Sequence, residues 1–458
     1  MKHFLIALLV SHSMALAKTC TDAASLVAAV TNGEEGSRIE LVAGTFALRE
    51  PLVLKAGMQL IGKGMGKTII TAVPEWRGNP KSLPDSETDF RKFDRSAYLI
   101  HLADKASGIG ISQLSLTGPQ VHGAIFGWEN AEFTLSFVEI SDFQYCGLRT
   151  YITSKSKIHD CVFRDAGQRW ENGEPGLKGG ITGGGIFAIW ISDTEISHNR
   201  FLHTKTAPNE HYYGIKGREG RRLKIQHNTI ETNFSIEFPF EGDEDVEISH
   251  NVLHGTVSIP KHAGGPVPKS GRTFHIHHNL FRDSYSIEFV RNGVEIDHNL
   301  FDFDSQKDHG NLISGFGQAA AAGPALFHNN LVNNPGRGVI WINEPYNNLT
   351  VRNNHIIVRP TGNKRNEGLF GFHESCDFPT FRFENNIIEC LDTTRPLFRN
   401  DASGKSTVKG NRWQGITDEH RYQNGYAHPQ AGLAAPLKFT CGVHEETKVD
   451  GWKHSNKK

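Results

Sequence analysis

Helical periodicity is almost missing from this 458-residue chain, and so are long apolar runs. No stretch reaches the roughly 18–20 apolar residues that a membrane helix needs. Charge of one sign is also missing: the formal net charge is −1. A nearly neutral chain has no global field to draw in a polyanion, so attraction for an acidic substrate must be local. There is no basic run and no nucleic-acid reading motif, which excludes the usual DNA and RNA binders. Cysteine is limited to six residues, and their spacing does not resemble a zinc site. "HExxH", a nucleophile elbow and a Gly-rich phosphate loop are absent. "GKGMGKT" at 62–68 has the wrong spacing for such a loop, and strands rather than a helix follow it.

The N-terminus reads as a secretory signal peptide over residues 1–17. Lys2 supplies the positive start, "FLIALLV" the apolar run, and "ALA" ending at Ala17 the cleavage site. The mature chain then starts at Lys18 and is secreted, to the extracellular space or the periplasm. An oxidising compartment permits disulfides among Cys20, Cys146, Cys161, Cys376, Cys390 and Cys441, with about 15 possible pairings. "NFS" at Asn233 and "NLT" at Asn348 are glycosylation acceptors in a eukaryotic host.

What the chain does have is Gly (47 residues) and short apolar runs between Gly, Asn and Asp turns. One amphipathic helix is expected in "TDAASLVAAVTNG", opened by a capping Thr-Asp and closed by Asn-Gly. Beyond it, an Asn returns before an apolar pair, as in "SHNRF", "SHNVL" and "HHNLF". These Asn residues stand at 199, 228, 251, 279, 299, 330, 354, 386 and 411. A period of 20–32 residues built from strands predicts an all-β parallel solenoid. Each coil must stack on the next to bury its apolar face. Asn suits a left-handed bend between strands, and stacked amides can bond along the column.

A second column lies upstream of the Asn. Its inward members are expected to be Ile125, Leu148, Ile186, Ile215, Ile236, Ile259, Ile287, Ile313, Ile340 and Phe370. Strand side chains alternate, so the residue after each points outward. That row reads Phe126, Arg149, Phe187, Lys216, Glu237, Pro260, Glu288, Ser314, Trp341 and Gly371. The next outward row reads Trp128, Tyr151, Ile189, Arg218, Pro239, His262, Val290, Phe316, Asn343 and His373. Aromatics among charges on an open face predict a binding trough for a linear polymer.

The densest polar patch gathers Tyr212, Lys216, Arg218, Glu237, Glu241, Lys261, His262, Glu288 and Arg291. β-Elimination at a uronate needs a group that neutralises the carboxylate, a base and an acid. Arg218 or Arg291 fits the first role, because Arg meets a carboxylate at two points. Lys216 or Lys261 fits the base, provided neighbouring cations lower its proton affinity. Tyr212 or Tyr151 fits the acid, with His262 as substitute. Arg149, Tyr151, Glu237, His262, Glu288, Arg291 and Trp341 are the expected substrate contacts. A rival uses Glu237 and Glu288, with backbones about 9.6 Å apart, as the carboxyl pair of a glycoside hydrolase. A third reading is a non-catalytic carbohydrate-binding protein. No metal is required. Calcium near Glu241, Asp243 and Asp245 is the one cation alternative, although "EGDED" lacks EF-hand spacing.

The opening phrase "RIELVAGTFALREPLVLKAGMQLIGKGMGKTIITA" resembles the start of the pectate-lyase-like superfamily of right-handed parallel β-helices. Within it, "FSIEFPFEGDEDVEISHNVLHGTVSIPK" looks most similar to bacterial alginate lyases of family 31. That resemblance implies a Lys and Tyr pair and no essential metal. Lys216 is followed one coil later by Glu237, unlike the Lys–Arg order of family 6 lyases, and the epimerase "DPHD" motif is absent. The expected organisation is a signal peptide (1–17), a β-helix catalytic domain (18–415) and a C-terminal cap or tail (416–458). The expected protein is a secreted monomer that cleaves an acidic polysaccharide, alginate first, and binds neither nucleic acid nor membrane.

Overall fold

The computed structural model describes residues 17–76, 97–166, 182–204, 211–238, 242–259, 272–282, 287–289, 293–303, 311–315, 325–335, 338–342, 349–358, 369–372, 382–390, 398–399, 407–414 and 422–423. The chain winds as a right-handed parallel β-helix. Among the described residues, sheet 1 holds 14 strands, from Leu52–Leu54 to Tyr422–Gln423, each bonded to the next in chain order. A second network of 27 strands is divided along a corner into two ladders. Sheet 2 runs through Lys157–His159, Glu195–Ser197, Lys224–Gln226 and Val246–Ser249. Sheet 3 runs through Val162–Arg164, Arg200–Leu202 and Thr229–Glu231. The longer strands Gly110–Thr117 and Thr134–Ser141 span both ladders near the start of the helix.

The corner between sheets 2 and 3 is where the repeated Asn sits. All nine Asn residues stack in one column, and eight successive Nδ2-to-Oδ1 bonds of 2.9–3.1 Å join Asn199 to Asn411. Each Oδ1 also accepts the backbone N–H of the Asn one coil earlier, as Asn279 does from Asn251 at 2.9 Å. Each Nδ2 also donates to a carbonyl of the preceding coil, as Asn279 does to Ile248 at 2.8 Å. Buried amides are costly unless paired, and this arrangement pairs every one of them. Cys161 continues the column upward: its backbone N–H donates to Asn199 Oδ1 at 3.0 Å, and its thiol faces the Leu135 carbonyl.

The left-handed bend falls one residue earlier than expected. The Asn residues are not left-handed; the residue before each one is. His198, His227, His250, His278, His298, Asn329, Asn353 and Asn385 have φ of 53–57°. His, Asn and Asp are the residues that tolerate this region best, so the sequence supplies them there. Five histidines at consecutive corners therefore stack, with centroids 4.9–5.2 Å apart.

The interior is a column of branched aliphatics with stacked rings, such as Phe163 on Phe201 (4.8 Å) and Phe281 on Phe301 (4.5 Å). The helix Ala23–Thr31 covers the first coil. Asp22 caps it by accepting from Ser25 N at 2.7 Å, and Leu26, Ala29 and Val30 are buried.

Two outcomes follow. Asn279→Ala removes two bonds accepted from Asn251 and those its Nδ2 donates to Ile248 and Asn299, so stability falls by about 4 kcal/mol at ~1 kcal/mol per lost bond. Urea unfolding checks this; a loss under ~1 kcal/mol contradicts a cooperative column. The second concerns acid. Burial and neighbouring imidazoles (His198 and His250; His250 and His298) hold His227 and His278 below the ordinary histidine value of 6.5. Burial and His275 hold His277 at about 4, against the opposing carboxylates of Asp297 and Glu247. These rings are neutral when folded and take up protons on unfolding, so stability is full above 6.5 and falls as pH drops toward 4. Asp297 adds to the loss below the ordinary aspartate range. Burial raises it, but hydrogen bonds from His275 and His298 prevail and hold it at about 2. Thermal midpoints measured with EDTA between pH 7.5 and 4 should fall on acidification, and a flat profile contradicts the neutral stack.

Candidate functional site

Sheet 1 carries the expected outer rows, and its register fixes who stands beside whom. Phe126, Arg149, Phe187, Lys216 and Glu237 pair rung by rung. Trp128, Tyr151, Ile189 and Arg218 do the same in the second row. The inward column is as expected except at one coil. A register irregularity between Phe234 and Ile236 brings Val257, not Ile259, beside Ile236. The outward partner of Glu237 is therefore Ser258, not Pro260, and Ser258 in turn pairs with Glu288. Glu288, Ser314, Trp341 and Gly371 complete the row as expected.

The open trough is the expectation that fails for the N-terminal rungs. Phe126, Arg149, Tyr151, Phe187, Ile189 and Glu237 are all buried. Part of the reason is ring packing on the outer face: Tyr98 meets Phe126 at 5.1 Å, Phe126 meets Tyr151 at 6.0 Å, and Tyr151 meets Trp128 at 5.5 Å. Lys216 and Arg218 keep some exposure, 15% and 24% of their side chains, so access to the site is at their end of the face.

Lys216 is the centre of the polar group. Its Nζ lies 3.1 Å from Glu237 Oε2 and 4.6 Å from the centroid of the Tyr213 ring. Two rungs away, Arg149 Nε donates to the Tyr151 hydroxyl at 2.8 Å, and its guanidinium lies 5.3 Å from the rings of both Tyr145 and Tyr151. Phe187 stands between the two cations and meets Tyr145 and Tyr213 edge-on. Arg218 lies 3.9 Å from Glu219. Trp341 lies flat over its row neighbour: a Cβ on Gly371 would come within 2.2 Å of the indole.

Tyr212 is placed elsewhere. It is buried and stacks on His203 at 4.0 Å, and burial, then Asp165, pushes its hydroxyl well above the usual tyrosine range. Strict alternation would put Tyr212 on the outer face with Lys216, but the strand breaks alternation. Gly214 and Ile215 both face inward; a Cβ on Gly214 would lie 2.4 Å from Ile230. Gly185 and Gly147 do the same one and two coils earlier, facing Phe201 and Phe163. Tyr213 is thereby turned outward, into a cluster with Tyr98, Phe126, Cys146, Tyr151 and Phe187. Tyr213, Tyr145, Tyr98 and His122, which stacks on Tyr145 at 4.7 Å, are members of this face that the sequence reading missed. The Gly before each inward aliphatic is the signal that could have found them.

Lys261, His262, Arg291 and Glu241 lie outside the described residues, as does the Glu288 side chain. Asp243 is buried, and its carboxylate accepts from Gly220 N at 2.7 Å. Asp245 faces Arg272 at 3.7 Å. Among the described residues, Cys20, Cys146 and Cys161 are free and buried rather than in disulfides.

Residues 123–301 match the family model described as "Right handed beta helix region". The chain is 27% identical over 191 residues to mannuronan C5-epimerase AlgE2 of Azotobacter vinelandii. That alignment covers 37% of this chain and 17% of the epimerase, so the chain spans about a sixth of the length of the curated relative. Among solved structures it is similar to a tailspike protein of E. coli bacteriophage HK620 in complex with a pentasaccharide, with a TM-score of 0.53 and 10% identity over 85% of this chain and 72% of that one. It is also similar to the A-module of mannuronan C-5 epimerase AlgE6 of Azotobacter vinelandii, with a TM-score of 0.49 and 14% identity over 85% and 93% of the two chains. The chain has the right-handed parallel β-helix fold.

The closed part of the face can be probed through Cys146. Burial pushes its thiol up to about 12. Iodoacetamide should leave Cys146 unmodified in the native protein and label it only on unfolding, read by peptide mass spectrometry. Rapid native labelling contradicts the closed face.

Proposed function

We propose that the chain is a secreted polysaccharide lyase that cleaves an acidic, uronate-containing polymer, alginate first, by β-elimination. The observation that carries this reading is the adjacent-rung pair of Lys216 and Glu237, 3.1 Å apart against the Tyr213 ring. It sets a cation, a carboxylate and a tyrosine at one partly accessible point of the outer face. The relatives support the substrate class: a mannuronan C5-epimerase acts on the carbon that bears the uronate carboxyl. β-Elimination begins at the same C–H bond.

The contacts support one set of roles. Lys216, paired with the Glu237 carboxylate, is a cation here rather than a base. It meets the uronate carboxylate, helped by Arg218 on the same strand. Glu237 takes the C5 proton, and Lys261 stays the second candidate for that role. The electron pair left on C5 forms the C4–C5 double bond, the C4–O bond breaks, and the leaving oxygen collects a proton. Tyr213, whose ring lies 4.6 Å from Lys216 Nζ, is our candidate to give it. Arg149 and Tyr151 form a buried bonded pair on one strand two rungs from Lys216, which positions the strand more than it meets substrate.

One rival is favoured by a specific observation. The 27% identity to an epimerase fits the same proton abstraction followed by reprotonation of C5 without cleavage. A hydrolase using Glu237 and Glu288 has the two residues two rungs apart in one column, with Ser258 between them.

A panel of alginate, pectate, glucuronan and glycosaminoglycans separates these. Unsaturated product absorbing in the ultraviolet is the expected result. Solvent hydrogen entering C5 without chain cleavage would instead favour the epimerase, and new reducing ends without absorbance the hydrolase. Lys216→Ala should lower turnover by at least ~10²-fold while far-ultraviolet dichroism is unchanged. Full activity in that variant contradicts this site.

A further inference from the structure

The histidine-rich corner lies apart from sheet 1, and the proposed reaction makes no use of it. The sequence "FHIHHN" at 274–279 places two extra histidines beside one member of the stack. His278 stacks on His250 with centroids 5.1 Å apart and an interplanar angle of 26°. His277, at the end of the sheet 2 strand Phe274–His277, turns its ring 86° to His278. One ring nitrogen from each of His250, His277 and His278 lies within 4.8 Å of the others. The Nδ1 atoms of His277 and His278 are 2.8 Å apart.

Stacking alone explains His198, His227 and His250. It does not account for the second imidazole set perpendicular to the stack, whose Nδ1 shares a hydrogen bond with His278 Nδ1. Exchange of that one shared proton for a cation would leave both nitrogens facing the ion as ligands. Cis ligands at about 2.0–2.1 Å from an ion sit roughly 2.9–3.4 Å apart, depending on the angle between them. The observed separation needs only a small adjustment. His277 has a carboxylate behind it, with Nε2 3.4 Å from Glu247 Oε1. A ligating histidine typically hands its other N–H to such a carboxylate, which fixes the tautomer. All three imidazoles are half-buried, so solvent and ions can reach them while the backbone holds them in place.

We propose that His250, His277 and His278 form a binding site for one divalent transition-metal ion of the zinc class, with Glu247 holding His277 in the ligating tautomer. Three imidazoles and an open position suit zinc, copper or nickel and reject calcium and magnesium, which take oxygen ligands. The donors come from two adjacent coils, so the ion would tie those coils together from outside, opposite in character to the amide column inside.

The test uses the full chain, stripped with EDTA and dialysed, and Zn²⁺ alone as the probe. Calorimetry should give saturable binding of one ion per chain that excess Ca²⁺ or Mg²⁺ does not displace. His278→Asn is compatible with the fold, because Asn329 and Asn353 hold the same left-handed position in later coils. His278→Asn and His277→Asn should each weaken binding more than ~10-fold, and Glu247→Gln about 10-fold. His198→Asn, at the far end of the stack, should bind as the unmutated chain does. A second readout needs no variant: Zn²⁺ should protect His250, His277 and His278 from diethyl pyrocarbonate, mapped by mass spectrometry. Absence of saturable binding, equal binding by His278→Asn, displacement by Ca²⁺, or no protection at these three residues would each overturn the proposal.

Discussion

The column of buried Asn amides is the constraint on which the rest depends. Each amide from Asn228 to Asn386 accepts twice and donates to the coil above and the coil below, so no coil can slip by a residue without orphaning several buried groups. Coil length varies from 20 to 32 residues while the column stays fixed. That fixed corner carries register across the coil to sheet 1. There it sets Lys216 beside Glu237 and Arg149 two rungs back, and the chemistry of the outer face is a consequence of that register.

The same winding makes two unlike surfaces. On sheet 1 the outer rows are dominated by rings that pack on each other and bury the N-terminal rungs, leaving polar access around Lys216 and Arg218. At the corner of sheets 2 and 3, the left-handed geometry selects His or Asn outside the amide column. Where it selects His in successive coils, the rings stack at the strand spacing. One winding thus makes a ring-packed face and a separate histidine-lined edge.

Much of this was legible in the sequence because it repeats. The nine Asn positions, and nine of the ten inward residues beside them, are where the period places them. The C-terminal half of the outer row follows too, since Trp341 and Gly371 pair as expected. Three things were not legible. The register irregularity at Phe234–Ile236 is a local backbone event with no repeat to announce it, and the pairing there puts Ser258, not Pro260, beside Glu237. The inward pairs Gly214–Ile215 and Gly185–Ile186 break alternation, which exchanged the places of Tyr212 and Tyr213. Burial of the outer face depends on what packs over it, which a strand pattern does not encode. Hence Arg149 and Tyr151 read as substrate contacts and are a buried pair.

The central claim is that register has built a uronate site where Lys216 meets Glu237. The most direct measurement is a crystal structure of the Glu237→Gln protein with a bound mannuronate oligosaccharide. The account predicts sugar lying across sheet 1, with one carboxylate at Lys216 and its C5 hydrogen toward residue 237. Sugar bound on another face, or at this face with Lys216 still turned away from every carboxylate of the ligand, would contradict it.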